Sequence, residues 1–151
     1  MIQWLDSVPE DSVFISVVTL GEIRKGCKLL DTGKRRTELE RWLEVEVRNW
    51  FGGRILPVTE AIAERWGKLD AKRQRMGLPV NRADGQIAAT ALVHDLTLVT
   101  RNVKDFRDLG VTLFNPWDER SLAPLWPAAK EREPQPNPYD PDREPDDGLE
   151  P

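Results

Sequence analysis

Three acidic residues in this chain each lie three positions after a residue of a type that commonly begins a helix. The pairs are Thr19 with Glu22, Asn81 with Asp84, and Asn102 with Asp105. Two explanations stay open for each pair. The acid can accept hydrogen bonds from the free N–H groups of the first helical turn, as in a capping box. Alternatively, it can be one of several acids that bind the same metal ion.

The segments that precede these acids favour the metal explanation for the set as a whole. Glu22 follows the candidate strand "SVFISVV", and Asp105 follows the candidate strand "TLVT". The carboxyl ends of neighbouring parallel strands meet at one edge of a sheet, where ligands bind. Clustered carboxylates raise one another's pKa unless a cation lies between them. Oxygen ligands suit Mg²⁺ or Mn²⁺, which activates water for phosphodiester hydrolysis.

Strands alternate with helices along the chain, which predicts an α/β fold with a parallel sheet flanked by helices. Apolar periodicity and turn residues predict strands at 12–18, 54–59, 97–100 and 111–117. Helical patterns lie at 2–8, 19–30, 37–51, 60–77, 82–95 and 103–110. The 37–51 helix carries one apolar stripe, typical of a core or a dimer face, formed by Leu39, Trp42, Leu43, Val47, Trp50 and Phe51.

Composition divides the chain into one domain at 1–119 and a tail at 120–151. The tail holds eight of the twelve prolines. It has 4 basic and 8 acidic residues, whereas the first 119 residues have 18 of each. Such a segment buries too little apolar surface to offset the entropy of ordering, so we expect disorder there. The net charge of −4 therefore belongs to the tail and does not indicate nucleic-acid binding by the domain.

The rare residue types exclude several kinds of site. Cys27 is the single cysteine, which excludes an intramolecular disulfide and a multi-cysteine zinc site and suits a reducing cytoplasm. His94 is the single histidine, which excludes a two-histidine ribonuclease mechanism. We place it at a helix end, where a cationic imidazole meets the helix dipole favourably. No signal peptide or membrane span is predicted, and no glycine-rich phosphate loop occurs.

Three segments resemble the PIN-domain family, and within it the VapC-like toxins of toxin–antitoxin pairs. They are "FISVVTLGEIRKG", "RADGQIAATALVHDLTLVTRNVKDF" and "VTLFNPW", within residues 12–117. The resemblance implies an endoribonuclease that depends on Mg²⁺ or Mn²⁺ and cleaves RNA with metal-activated water. It also implies inhibition by a cognate antitoxin and a homodimer.

Matched position by position, the family's acidic site falls on three places in this chain. The resemblance implies that Glu22 and Asp84 are ligands, and that the next position falls on Asn102 or Asp105. Nearby basic residues are candidates to contact the RNA backbone, although each is equally compatible with an ordinary surface position. They are Arg24, Lys25, Arg82 and Arg101.

One part of the family pattern has no counterpart here. Members open with a central strand of the type "LDTN" that supplies a further Asp, and Asp6 lies in a helical context instead. Without that strand we expect an interruption in the sheet. Two explanations stay open: a start upstream of Met1, or a remnant that retains only antitoxin-binding or self-association surfaces. An in-frame "LDTN"-like segment before Met1 would favour the first.

Overall fold

The structure, a computed structural model, describes residues 2–118, so the predicted disordered tail lies outside the described residues. The helices are α1 (Ile2–Ser7), α2 (Val17–Leu29), α3 (Lys34–Arg41), α4 (Arg48–Phe51), α5 (Glu60–Arg75), α6 (Arg82–Val93) and α7 (Val103–Phe106). The strands are β1 (Ile15–Ser16), β2 (Ile55–Leu56), β3 (Leu98–Val99) and β4 (Leu113–Phe114). Short 3-10 helices lie at Glu10–Ser12 and Gly52–Arg54.

The strands form two parallel pairs, which confirms the predicted α/β fold. In one pair β1 lies beside β2, with Ile15 opposite Ile55. In the other β3 lies beside β4, with Leu98 opposite Leu113. Within residues 2–118 the two pairs are separate sheets, so the single continuous sheet predicted from the strand pattern is not formed.

The first strand is much shorter than the sequence predicted, because α2 begins early. The run 12–18 was predicted as a strand, but only Ile15 and Ser16 pair with β2. The Oγ of Ser16 accepts a hydrogen bond from the N–H of Val18 at 3.1 Å, which caps the helix that starts at Val17. A local cap therefore outweighs the β preference of two valines.

Two apolar clusters form the core, one beside each strand pair. The first consists of Leu20, Leu43 and Val47, packed by Ile15, Ile23, Phe51 and Ile55. The second consists of Ala88, Ala91, Phe106, Leu109 and Val111, packed mainly by residues of β3, β4 and α6. Helix α6 contacts both α2 and α5, so it links the two halves.

The long helix between residues 34 and 51 divides its predicted apolar stripe between core and surface. Leu43 and Val47 are buried, but Trp42 is 40% exposed and Trp50 is 37% exposed. Between α3 and α4 the segment Trp42–Val47 is a π-helix. A π turn holds more residues than an α turn, so it shifts the residues after it relative to the stripe. The stripe is therefore only partly core.

None of the helices within 2–118 is both long and apolar enough to cross a membrane.

Candidate active site

Glu22 lies in the second turn of α2, beyond the residues that helix capping involves. The cap is Ser16, six residues earlier, so the prediction that Thr19 begins the helix is wrong. The free N–H groups of a helix belong to its first turn. The Oε2 atom of Glu22 lies instead 3.4 Å from the Nζ of Lys25. Capping therefore does not account for Glu22.

Asp84 lies in the first turn of α6, where the predicted cap is confirmed. The Oδ1 of Asn81 accepts a hydrogen bond from the N–H of Ala83 at 2.9 Å. A complete capping box would add a bond from the N–H of Asn81 to the carboxylate of Asp84. That second bond is not formed among the described residues. The helix start is capped without Asp84, whose side chain is half-buried.

Asn102 and Asp105 lie side by side at the start of α7. The side-chain amide of Asn102 donates a hydrogen bond to the Oδ2 of Asp105. The N–H of Asn102 donates to the Oγ1 of Thr100 at 3.0 Å. The side chain of Asn102 does not cap α7, so the predicted capping bond is wrong here. Asn102 orients Asp105, and Asp105 carries the negative charge of the pair.

The three acids act on one another at Asp84. Burial raises the pKa of Asp84 above its ordinary value of 3.8, and the charges of Asp105 and Glu22 raise this pKa further. These acids come from α2, α6 and α7, which are far apart in the sequence. Like charges are brought together by folding, although each makes ionisation of the next less favourable. Such an arrangement is typical of a site that binds a cation.

The acids suit a divalent metal in donor type and in charge, but they do not form a closed ligand set. Within the described part of the chain, no group of three or more His, Cys, Asp or Glu side chains could hold a metal ion as it stands. Mg²⁺ and Mn²⁺ prefer oxygen donors and complete their shells with water and substrate phosphate. Binding would require the side chains to approach one another and Glu22 to exchange its contact with Lys25.

Two of the predicted RNA-contacting residues already pair with acids. The Nη2 of Arg24 lies 2.9 Å from the Oε1 of Glu44, and Lys25 pairs with Glu22. Glu22 and Lys25 are three positions apart on a helix, a spacing in the sequence that is typical of such ion pairs. Arg24 and Lys25 therefore have local partners that RNA would have to displace.

The other two predicted residues have different surroundings. The guanidinium of Arg82 lies over the indole of Trp66, with its Cζ 5.9 Å from the ring centroid. Arg101 is exposed in the segment between β3 and α7. Neither forms a salt bridge with an acid of residues 2–118. Their charges are therefore better placed to meet phosphate.

Two features of α6 were not foreseen from the sequence, namely the close packing of its start and the protonation state favoured at its end. The first turn of α6 packs against α5 through Gly85, where a Cβ atom would lie 2.8 Å from the Cδ1 of Trp66. The only signal in the sequence was a glycine inside an alanine-rich helix. His94 is the C-terminal cap of α6, and burial lowers its pKa. The imidazole lies at the helix end as predicted, but burial favours its neutral form and not the cationic form expected there.

A cavity of about 310 Å³ lies along α2. Its walls combine apolar residues with two arginines and are formed by Val17, Leu20, Gly21, Arg24, Leu43, Arg48 and Ile55. The four lining residues of α2 are spaced at three- and four-residue steps and therefore share one face of the helix. None of the three acids lines this cavity.

Comparisons with known proteins found a matching family model and similar chains. The family model "PIN domain" matches residues 2–111. The chain is 38% identical over 119 residues to Toxin FitB of Neisseria gonorrhoeae, covering 79% of this chain and 86% of the toxin. It is 33% identical over 118 residues to VapC ribonuclease Y4jK of Sinorhizobium fredii, covering 78% and 84% of the two chains.

The fold is similar to a solved structure from the first of these organisms. The crystal structure of FitAcB from Neisseria gonorrhoeae superposes with a TM-score of 0.70 at 39% identity. The superposition covers 77% of this chain and 84% of that one.

Proposed function

This chain belongs to the PIN-domain family, and we propose that it is a VapC-like toxin, an endoribonuclease that depends on Mg²⁺ or Mn²⁺. The substrate would be RNA, and a cognate antitoxin would neutralise the activity in the cytoplasm. Relatives of this chain are named as a toxin and as a ribonuclease. The family and these names support the proposal at the level of a nuclease toxin.

The observation that carries the metal-dependent part is the mutual effect of the three carboxylates. Asp84 has a raised pKa because it is partly buried and faces Asp105 and Glu22. Repulsion of this kind is unfavourable for the folded protein and disappears when a dication is shared. Helix capping explains neither Glu22 nor Asp84, because Ser16 caps α2 and Asn81 caps α6. A shared cation is therefore the best account of all three.

Each residue would have a defined part in hydrolysis. Glu22, Asp84 and Asp105 would hold the metal ion, and Asn102 would keep the carboxylate of Asp105 in place. When bound, the ion supplies a water molecule of lowered pKa and stabilises charge on the scissile phosphate. The chain's own contribution is to supply these carboxylates from three helices, with Asp105 held by Asn102.

Basic residues at the margin of the acids would position the RNA backbone. Arg82 and Arg101 are the stronger candidates, because neither forms a salt bridge with an acid in the described residues. Arg24 and Lys25 would contribute only after separating from Glu44 and Glu22. Each phosphate contact made by such residues makes binding weaker as salt increases.

A cleavage assay tests the proposed function. The full chain should cleave single-stranded RNA with Mg²⁺ or Mn²⁺ and lose this activity in EDTA. Asp84→Asn should abolish cleavage, whereas Asp31→Asn, a change at an exposed acid, should not. Undiminished cleavage in EDTA, or full activity of Asp84→Asn, would show that the three acids do not form the catalytic site.

The second candidate is a binding module without catalysis, in which the chain retains antitoxin-binding or self-association surfaces. The lack of a closed three-ligand group within residues 2–118 favours it. The exposed Trp42 and Trp50 would serve a homodimer. This candidate predicts tight antitoxin binding together with no RNA cleavage at saturating Mn²⁺, a combination that the enzyme proposal excludes.

A further inference from the structure

The start of α6 rests on an unusually close contact with α5. Gly85 is buried, and a Cβ atom at this position would lie 2.8 Å from the Cδ1 and 3.1 Å from the Nε1 of Trp66. The next atom is the Cγ1 of Val80 at 3.4 Å. Real Cβ atoms essentially never approach other atoms as closely as 2.8 Å. Any residue other than glycine would therefore force the indole or the helix to move.

The indole keeps this position although its N–H group forms no hydrogen bond with a described residue. The Nε1 of Trp66 is buried and has no hydrogen-bond partner in the described part of the chain. Buried indole N–H groups usually find an acceptor. The ring is held in another way, by Gly85 at its edge and by the guanidinium of Arg82 over its face. Packing against α6, and not hydrogen bonding, fixes its orientation.

The contact lies next to one of the three acids. Arg82 and Gly85 are one turn apart and share the face of α6 that meets Trp66. Asp84 lies between them in the sequence and projects from a different side of the helix. The charges of Asp105 and Glu22 raise the pKa of its carboxylate. Asp84 and Gly85 are adjacent on one helix, so a shift of Gly85 against the indole would also shift Asp84 relative to the other two acids.

We propose that Trp66 and Gly85 are positioning residues that hold Asp84 in register with Glu22 and Asp105. Neither would touch the metal ion or the substrate. Glycine inside a helix lowers helix stability relative to alanine, so Gly85 is unfavourable for α6 taken alone. Its presence is explained by the close approach of the two helices. The inference rests on the proposed function, because the value of a fixed Asp84 lies in metal binding.

The test compares Gly85→Ala with Gly67→Ala in the full chain. Residue 67 adjoins Trp66 in α5, and a Cβ atom there meets nothing within 4 Å, so Gly67→Ala is the matched control. In crystal structures, Gly85→Ala should displace the first turn of α6, and the carboxylate of Asp84 with it. In calorimetric titration with Mn²⁺, it should weaken binding about tenfold or more, as changes in residues that orient metal ligands commonly do. Gly67→Ala should change neither result.

A second substitution separates positioning from general destabilisation. The double variant Gly85→Ala/Trp66→Leu removes the rigid ring edge. The position of the Asp84 carboxylate and the affinity for Mn²⁺ should therefore return toward those of wild type. If Gly85→Ala does not fold, the crystal structure of Trp66→Leu decides, since loss of the indole should let the start of α6 shift. An unmoved Asp84 in Gly85→Ala, with the indole alone rotated, or an unmoved Asp84 in Trp66→Leu would overturn the proposal. If wild type binds no Mn²⁺, the proposed function fails, whereas the displacement of Asp84 still tests this contact.

Discussion

Replacing Asp84 by Asn should stabilise the metal-free protein and destabilise the metal-bound protein relative to wild type. In the metal-free protein the ionised Asp84 is half-buried and faces Asp105 and Glu22. Asparagine has nearly the same shape and removes that charge. With solvent screening taken into account, we estimate a gain of about 0.5–1 kcal/mol in the free energy of unfolding. This corresponds to an increase of roughly 1–4 °C in Tm for a domain of this size.

The effect should reverse when a divalent metal is present. A ligand at one hundred times its dissociation constant stabilises the folded state by about 2.7 kcal/mol. Wild type should gain this stabilisation, and Asp84→Asn should lose most of it. The assay is thermal unfolding of both proteins with EDTA and with excess Mn²⁺. Curves that keep the same order in both conditions would refute the argument that the acids share a dication.

The pH dependence of the same pair has a definite sign. The folded-state pKa of Asp84 lies above 3.8, so the folded protein binds this proton more tightly than the unfolded chain. The destabilisation is therefore complete above the folded-state pKa and disappears as pH falls below 3.8. In EDTA, the stability difference between Asp84→Asn and wild type should be present at pH 7, smaller near pH 3.8 and absent well below it. A difference that grows on acidification would contradict the assigned cause.

Two further predictions concern stability away from the acids. Arg54 is 15% exposed, and its guanidinium donates hydrogen bonds to the carbonyl oxygens of Glu10, Val13 and Trp50. Arg54→Met should therefore lower the free energy of unfolding by about 1–3 kcal/mol, measured by urea denaturation, because charged hydrogen bonds to three carbonyl oxygens are lost. A change below about 0.5 kcal/mol, which is usual for surface substitutions, would show that the contacts are not made in solution. Burial lowers the pKa of His94 below 6.5, so the unfolded chain takes up this proton first and stability should decline as pH falls from about 6.5. His94→Gln should lose less stability than wild type between pH 7.5 and 5, and an equal loss would exclude this assignment.

The local features of the site could be predicted where a short stretch of sequence determines them. Asn81 caps α6 as expected, because the bond from Ala83 to Asn81 involves neighbours only. The start of α2 was placed at Thr19, since the valines before it favour a strand as much as a helix. Ser16 decides between the two by capping. Boundaries of this kind depend on a competition that the sequence pattern does not resolve.

The electrostatic effect of Glu22 and Asp105 on Asp84 could also be predicted, because all three acids lie near helix starts. How closely they converge could not, since distances of a few ångströms depend on packing between distant segments. The contact of Gly85 with Trp66 is such a case, as is the π-helix at Trp42–Val47 that divides the apolar stripe. Both arise from the fit of one helix against another.

The position of a bound Mn²⁺ tests the central claim most directly. Crystals of the full chain soaked in MnCl₂ would give an anomalous difference map that locates the ion. The account predicts one strong peak within bonding distance, about 2.0–2.3 Å, of oxygens of Asp84 and at least one of Glu22 and Asp105. A peak elsewhere, or three well-ordered carboxylates with no ion between them, would contradict it.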